Sequence, residues 1–427
     1  MQEGVINIVI LISFLIEVVL LLRLEKVLWD TYYTPLNFLM IPYTGIVLLN
    51  ILLPVNLDFY PFYFPSILIW SIGLIIFFIP SLLLGLIYNK HKPEEKKEFP
   101  DPATFKSLYI IGSVLLVFTL FYIYRKTLTL EEIIGSDEFA SETLARGVWA
   151  HIREVLLAVM ILSIYLVNKN RAWLFILIFG VLIVSITYQV KGWVIIPVLA
   201  GIIMRLIAKK TILKLKYVLY TVIGGFAIFF LSYYLLYVFT VEDGELDSNL
   251  MAFIYNHSIF YLTSGTAGLG MDLKAGILEQ AHPEYIFAPF HNLLSLIDGR
   301  SIVVPINSLY IDIGWAGSNV RTFFGTLYIN LGFWWTICYI LIFSAVIYGL
   351  VFRMKHKPSL WTLSIISFVN GLLVMGWFDF YFATLSVIEI PLTLLFFSGL
   401  ISLKSVSFKN KDNIIHPLTS KKKMLKV

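Results

Sequence analysis

Five cations and one imidazole stand out in a chain that is otherwise poor in charge. Lys191, in "SITYQVKGWVIIP", is a lone charge between two long apolar runs. Arg146 and Arg153 lie seven apart, Arg300 follows "DG", and Arg321 stands where a long polar stretch meets an apolar run. Lysine acts as a point charge and arginine as a bidentate fork, and both suit phosphate oxygens. When the sugar–phosphate bond of a lipid-linked diphosphate breaks, negative charge collects on the diphosphate. Fixed cations lower that barrier without a metal. An attacking sugar hydroxyl must also lose a proton, and an imidazole titrates in the right range to take it; His291 is the candidate.

Each of these residues also has a plainer role open to it. Lys191 can anchor a hairpin by snorkelling from the interface, and Arg153 can do the same while Arg146 pairs with Glu142 one turn back. His291 can cap its own short helix. Trp315, Phe290, Tyr285 and Tyr310 can stack on sugar faces, or belong to the aromatic belt at a membrane interface.

The elements that must position these groups are membrane helices. Of 427 residues, 59% are hydrophobic and 14% charged, and the mean hydropathy is +0.85, far above that of a soluble domain. The chain is expected to be an all-α polytopic membrane protein, a single integral membrane domain over 1–427. Apolar runs at about 5–22, 35–53, 66–88, 107–124, 149–168, 172–188, 192–208, 217–240, 323–352, 359–377 and 381–403 give about eleven spans. The first run lacks a small-residue cleavage site and reads as a retained helix. With loops placed alternately, one face holds 24 of the 32 Lys and Arg residues, and that face is expected to be cytoplasmic. The net charge of +5 then reads as an insertion signal, and no nucleic-acid partner is indicated.

Two connections on the opposite face are long, 125–148 and 241–322, and loops of that length need a job. In the first, "TLEE" from Thr129 has capping-box spacing. In the second, Asn249–Gly265 reads as an amphipathic helix lying in the interface, and Pro289–Arg300 reads as a short helix closed by "DG". The tail, 404–427, reads as cytoplasmic, its "SKKKMLKV" a contact for anionic lipid. Glu17, Glu389, Arg205 and Asp379 are the ionisable residues expected within or near spans, fewer than an ion-coupled transporter usually carries.

Several chemistries lack their signatures. There is no GxxxxGK[ST] and no GxSxG pattern. The acidic cluster "VEDGELDSN" has no EF-hand spacing, the histidines are scattered, and Cys338 is the only cysteine, which precludes an internal disulfide. No metal or other cofactor is expected.

"SNVRTFFGTLYINLGFWWTICYILIFSAVIYG", "VKGWVIIPVLAGI" and "PFHNLLSLIDG" together resemble the bacterial oligosaccharide repeat-unit polymerases (O-antigen polymerases) and the related O-antigen ligases. The first is similar to the polymerases' loop-to-helix segment before a late span. The second resembles their basic residue followed by glycine and a span, with lysine where arginine is frequent, and the third resembles the His-Asn-apolar pattern in the ligases' large periplasmic loop. The likeness in topology spans nearly the whole chain and the motif likeness about a quarter; an odd span count departs from the even number of relatives.

The resemblance implies a metal-independent, GT-C-like glycosyltransferase in the bacterial inner membrane, acting at its periplasmic face. Donor and acceptor would both hang from undecaprenyl diphosphate in membrane lipid, with room for a chain-length regulator protein as partner. On this reading Lys191, Arg321, Arg146 and Arg153 hold the diphosphates, His291 activates the acceptor, and Asn292, Arg300, Tyr310 and Asn319 position sugar or loop. Two other functions use the same residues: a flippase or exporter of lipid-linked sugars, with Glu17 and Glu389 lining its path, and an O-antigen ligase.

Overall fold

The computed structural model describes residues 2–52, 59–92, 99, 105–128, 147–187, 191–212, 214, scattered positions between 223 and 234, 248–276, 282–304 and 309–415. Among the described residues the regular structure is helical apart from one short ladder. In order come α1 (Gln2–Trp29), α2 (Pro35–Leu52), α3 (Ser66–Lys90), α4 (Lys106–Thr127), α5 (Gly147–Leu166), α6 (Leu174–Thr187) and α7 (Lys191–Ile207). There follow α8 (Ser248–Lys274), α9 (Pro283–Ile286), α10 (Ala288–Asp298), strands β1 (Ile311–Asp312) and β2 (Gly317–Ser318), then α11 (Phe323–His356), α12 (Leu360–Val374) and α13 (Ser386–Ile415). The strands are antiparallel, Ile311 facing Ser318 and Asp312 facing Gly317.

Among the described residues, seven helices are long and apolar enough to cross a bilayer: α1 to α5, α11, and α12 extended to Trp377. The protein is therefore a multi-pass membrane protein. The expected count of eleven is not reached. Helices α6, α7 and α13 supply shorter apolar stretches; the 14 residues of α6 extend only ~21 Å, against a hydrocarbon core of ~30 Å. The run expected at 217–240 lies mostly outside the described residues.

Aromatic and polar contacts sort the helix ends into two sets. At one end α1, α3 and α11 finish together: the Trp29 ring stacks on both Tyr88 and Tyr348 at 5.6 Å, and the Asn89 amide donates to Leu28 O at 3.1 Å. Arg205 of α7 donates to the carbonyls of Ile164, Tyr165 and Val167 at 2.8–3.1 Å, satisfying the last turn of α5, whose carbonyls have no intrahelical partner. The opposite end holds the starts of α3, α5, α7 and α11, with β1 tied in by Tyr60 N to Ile313 O at 3.0 Å.

Glu25 is fully buried within α1, although it was absent from the expected set of span carboxyls. Tyr348 donates to its Oε1 at 2.9 Å and Ser81 makes a second, shorter bond to the same oxygen. Trp29 Nε1 donates to Ser81 Oγ at 2.9 Å. This polar thread joins α1, α3 and α11, a use of buried polar groups common in bilayers. Helix α11 breaks at Gly332, whose φ of 71° and ψ of 175° suit glycine alone. Its first part, Phe323–Leu331, thus packs at a different angle from the long apolar part that follows.

The second long connection is largely helical among its described residues. Helix α8 runs nine residues beyond the expected Gly265; Met251, Phe253 and Tyr255 near its start are exposed, and its later part turns inward. Thr263, Ser264, Thr266, Leu269 and Asp272 are buried as it packs on α2, α3 and the ladder. A second exposed apolar stripe belongs to α10, where Phe290, Leu293, Leu294 and Ile297 are all exposed at helical spacing and suit the acyl boundary. Helix α10 ends as expected at "DG", with Gly299 in the left-handed region at φ 71°.

Candidate functional site

The elements carrying the expected catalytic residues meet on one short segment, Trp377 to Ser386, between α12 and α13. Gly192, the second residue of α7, packs so closely on Tyr381 that a Cβ would collide with the phenol. Helices α9 and α10 rest on the turn Tyr381–Ala383. From α8, Tyr261 stacks on Phe378 at 5.7 Å, and Gly265 lies so near that a Cβ would stand 2.7 Å from Trp377 O. From the start of α11, Thr322 N donates to Phe378 O at 3.1 Å and Thr326 Oγ1 to Asp379 Oδ1 at 2.7 Å. Burial pushes the Asp379 carboxyl above its ordinary value, against the opposing bond from Thr326, and burial likewise raises the Tyr381 phenol.

Arg321 is 1% exposed, as is Asp272 of α8, and the two form a buried ion pair. The remaining donors of the guanidinium reach Ser318 O at 2.9 Å, Val320 O at 3.0 Å and Leu309 O at 3.3 Å. Sequence reasoning expected an outward cation; the structure shows one occupied by protein on all sides. Asp272 escaped notice because its partner is 49 residues away, beyond any helical spacing. Gly268, one turn before it, lets the helix approach: a Cβ there would lie 3.0 Å from Arg321 Nη1.

Thr322, next in sequence, has φ 66° and ψ 168°, a region that glycine almost alone populates. Strain of that kind costs about 1–3 kcal/mol and gathers at functional sites. Trp70 Nε1 holds it by donating to Oγ1 at 3.0 Å, while the same oxygen caps α11 by accepting from Gly325 N at 3.3 Å.

The other expected residues divide between this neighbourhood and its margins. Lys191 opens α7 beside Gly192; its side chain lies outside what the structure describes, as does Arg146. His291 is half-buried on α10, and its Nδ1 is buried with no hydrogen-bond partner among the described residues. Asn292 holds the following loop, its amide donating to Val303 O and accepting from Val303 N, both at 2.8 Å, which is the loop positioning expected of it, with one N–H and one lone pair left over. Arg300 pairs with Asp298 at 2.7 Å on the surface. Tyr310 is exposed and accepts from Asn319 Nδ2 at 3.4 Å, so these two lie together beside the ladder.

Arg153 is buried and paired with its neighbour Glu154, neither snorkelling nor open to a headgroup. Glu154 lies close enough to Ser386 and Glu389 to interact with both. Glu389, in the first turn of α13, bonds His151 Nδ1 at 2.7 Å and so sits at a helix end instead of deep in a transport path. Helix α13 continues through Pro391. Among the described residues no group of three or more His, Cys, Asp or Glu could hold a metal ion.

Beside the segment lies a cavity of ≈790 Å³ between α9–α10 and α11, lined by Phe287, Phe290, Asn330, Trp335, Cys338 and Tyr339 among others. It reaches the segment through Tyr339 and Phe343, which contact Phe380 at 5.9 Å and Phe382 at 4.8 Å. Phe290, Trp335, Ile342 and Val346 are exposed at its mouth, which therefore opens among membrane-facing side chains. Its walls are apolar, with Asn330 the one amide among them, the profile of a site for a long apolar chain.

A family model described as a family of unknown function, DUF6337, matches residues 58–407. No curated protein and no solved structure matches the chain.

Proposed function

The chain belongs to the DUF6337 family of unknown function, and within that family we propose that it is a membrane glycosyltransferase that polymerises undecaprenyl-diphosphate-linked oligosaccharide repeat units. The observation that carries this reading is the convergence of the starts of α7 and α11 with α10 on the Trp377–Ser386 segment, beside an apolar cavity opening among membrane-facing residues. A polyprenyl chain fits the cavity's chemistry. Its diphosphate would then lie toward the Trp377–Ser386 segment, near which Lys191 opens α7.

The donor's anomeric carbon–oxygen bond to the diphosphate breaks, and the electron pair leaves with the diphosphate. A hydroxyl of the acceptor repeat unit forms the new bond, and its proton passes to His291, which α10 carries at headgroup depth. Lys191 neutralises the departing charge. The Arg321–Asp272 pair and strained Thr322 hold the loop in which Asp379 and Tyr381 are anchored, so Arg321 acts here by positioning. The Lys and Arg bias of the loops supports a periplasmic position for this end in the inner membrane. A flippase would need deep charges along its path, and Glu389 is engaged with His151 at a helix end.

The test is reconstitution of the purified protein in liposomes with lipid-linked repeat units. A ladder of chain lengths on a gel is expected, lost in Lys191→Ala and His291→Ala variants that insert normally. A wild-type protein that makes no glycosidic bond overturns the proposal, and transfer only onto a lipid A core would make it a ligase.

A further inference from the structure

At the end of the bundle remote from the Trp377–Ser386 segment, the last turns of α3, α7 and α11 and the chain leaving α1 enclose a second cavity, of ≈190 Å³. That is room for about six waters, or for one phosphate group with its first ester-linked atoms. Its charged lining is three lysines, Lys92, Lys209 and Lys355, against one acid, Asp30. Lys92 pairs with Asp30. Lys355 donates to Trp29 O at 2.8 Å, answering the partial negative charge at the end of α1. Among the described residues Lys209 makes no ion pair, and it is exposed.

Two helix caps meet at the same place. Only three described residues other than glycine have positive φ: Thr322, Asp30 at 55° and Lys209 at 56°. The first belongs to the site above, and the other two both line this cavity. Each of these two closes a helix: Asp30 directly follows α1, and Lys209 follows α7, where Lys209 N donates to Leu206 O at 3.1 Å and Lys210 N to Arg205 O at 2.9 Å, the left-handed cap that ends many helices. Here it turns the chain after two separate helices toward one space.

We propose that this cavity binds a phosphate-bearing anion, contacted by Lys209 and Lys92. Two sources share that chemistry: the headgroup of an anionic phospholipid, which basic pockets between membrane helices recognise, and free inorganic phosphate. The site is independent of the reaction assigned to the other end.

The experiment is thermal unfolding of the full-length protein in neutral detergent, titrated with phosphatidylglycerol, phosphatidylethanolamine or inorganic phosphate. Phosphatidylglycerol should raise the unfolding temperature and phosphatidylethanolamine should not; a rise with inorganic phosphate alone identifies a soluble anion instead. The concentration for half effect should increase about fivefold in Lys209→Gln and further in Lys209→Glu. A variant with Lys421, Lys422 and Lys423 changed to Gln should respond as the wild type does, separating the cavity from the basic tail. No shift with either anion, or an unchanged titration in Lys209→Glu, overturns the proposal.

Discussion

Tyr381 occupies the space in which a Cβ on Gly192 would stand, so the start of α7 and the turn before α13 touch only because residue 192 has no side chain. Gly192→Ala must move the phenol or the helix. Overpacking of this kind typically costs about 1–3 kcal/mol, and a lowered unfolding temperature in detergent is the first expected result. Activity should fall more than stability does, since Lys191 moves with the helix start. Tyr381→Ala in the same chain removes the collision, and the double variant should recover the stability lost by Gly192→Ala. An alanine variant as stable as the wild type would mean that the two elements are not in contact.

Arg321 and Asp272 are both 1% exposed and joined across 49 residues. Removing one partner leaves a buried charge uncompensated, which costs about 3–5 kcal/mol, whereas replacing both with apolar residues of similar volume is often tolerated. Arg321→Ala and Asp272→Ala should each unfold many degrees below the wild type, and an Arg321→Met, Asp272→Leu double variant much closer to it. Thermal melts in detergent read this directly. Equal, small losses in all three would show the pair to be screened by water.

The helical membrane architecture was legible because apolar runs of bilayer length declare themselves, and α10 with its closing Gly299 followed from local turn chemistry. Glu25 was passed over because it stands among "LLRLEK", which reads as the charged edge of a span, yet a helix continuing to Trp29 carries it into the core. Arg321 was expected to face a diphosphate, but it is buried against Asp272, a partner from another helix at no regular spacing. The amphipathic reading of Asn249–Gly265 described only the first part of α8, where Met251, Phe253 and Tyr255 are exposed; the buried continuation through Asp272 carries threonine, serine and glycine, a composition that does not declare burial. Trp377–Ser386, the segment on which the site converges, has no motif at all; its importance lies in what packs on it.

Asp379 gives a pH dependence of definite sign. Its carboxyl is pushed above its ordinary value of 3.8, first by burial, so the folded chain holds that proton more tightly than the unfolded chain does. The contribution to stability is fully present below the ordinary aspartate range and is lost as pH rises through the raised value. Between about pH 4 and that raised value, stability should decline with pH more steeply in the wild type than in Asp379→Asn, which has no proton to lose. Parallel melting curves for the two proteins across this range would remove Asp379 from the account.

Cys338 offers a reporter inside the larger cavity, since it lines that space, is exposed and is the only cysteine in the chain. An uncharged maleimide should modify it readily in detergent. Undecaprenyl phosphate should slow that reaction, because a long apolar chain lying between α10 and α11 covers the thiol, while soluble diphosphate, which lacks the chain, should not. Phe290→Ala and Trp335→Ala enlarge the mouth and remove apolar contact area, and burial of an aromatic side chain is worth a few kcal/mol at most. Each should therefore weaken protection by roughly tenfold or more in lipid concentration while leaving the uncovered labelling rate nearly unchanged. Should saturating undecaprenyl phosphate leave the wild-type rate as it was, the polyprenyl tail lies elsewhere, and the link between cavity and reaction is lost even if the enzyme proves active.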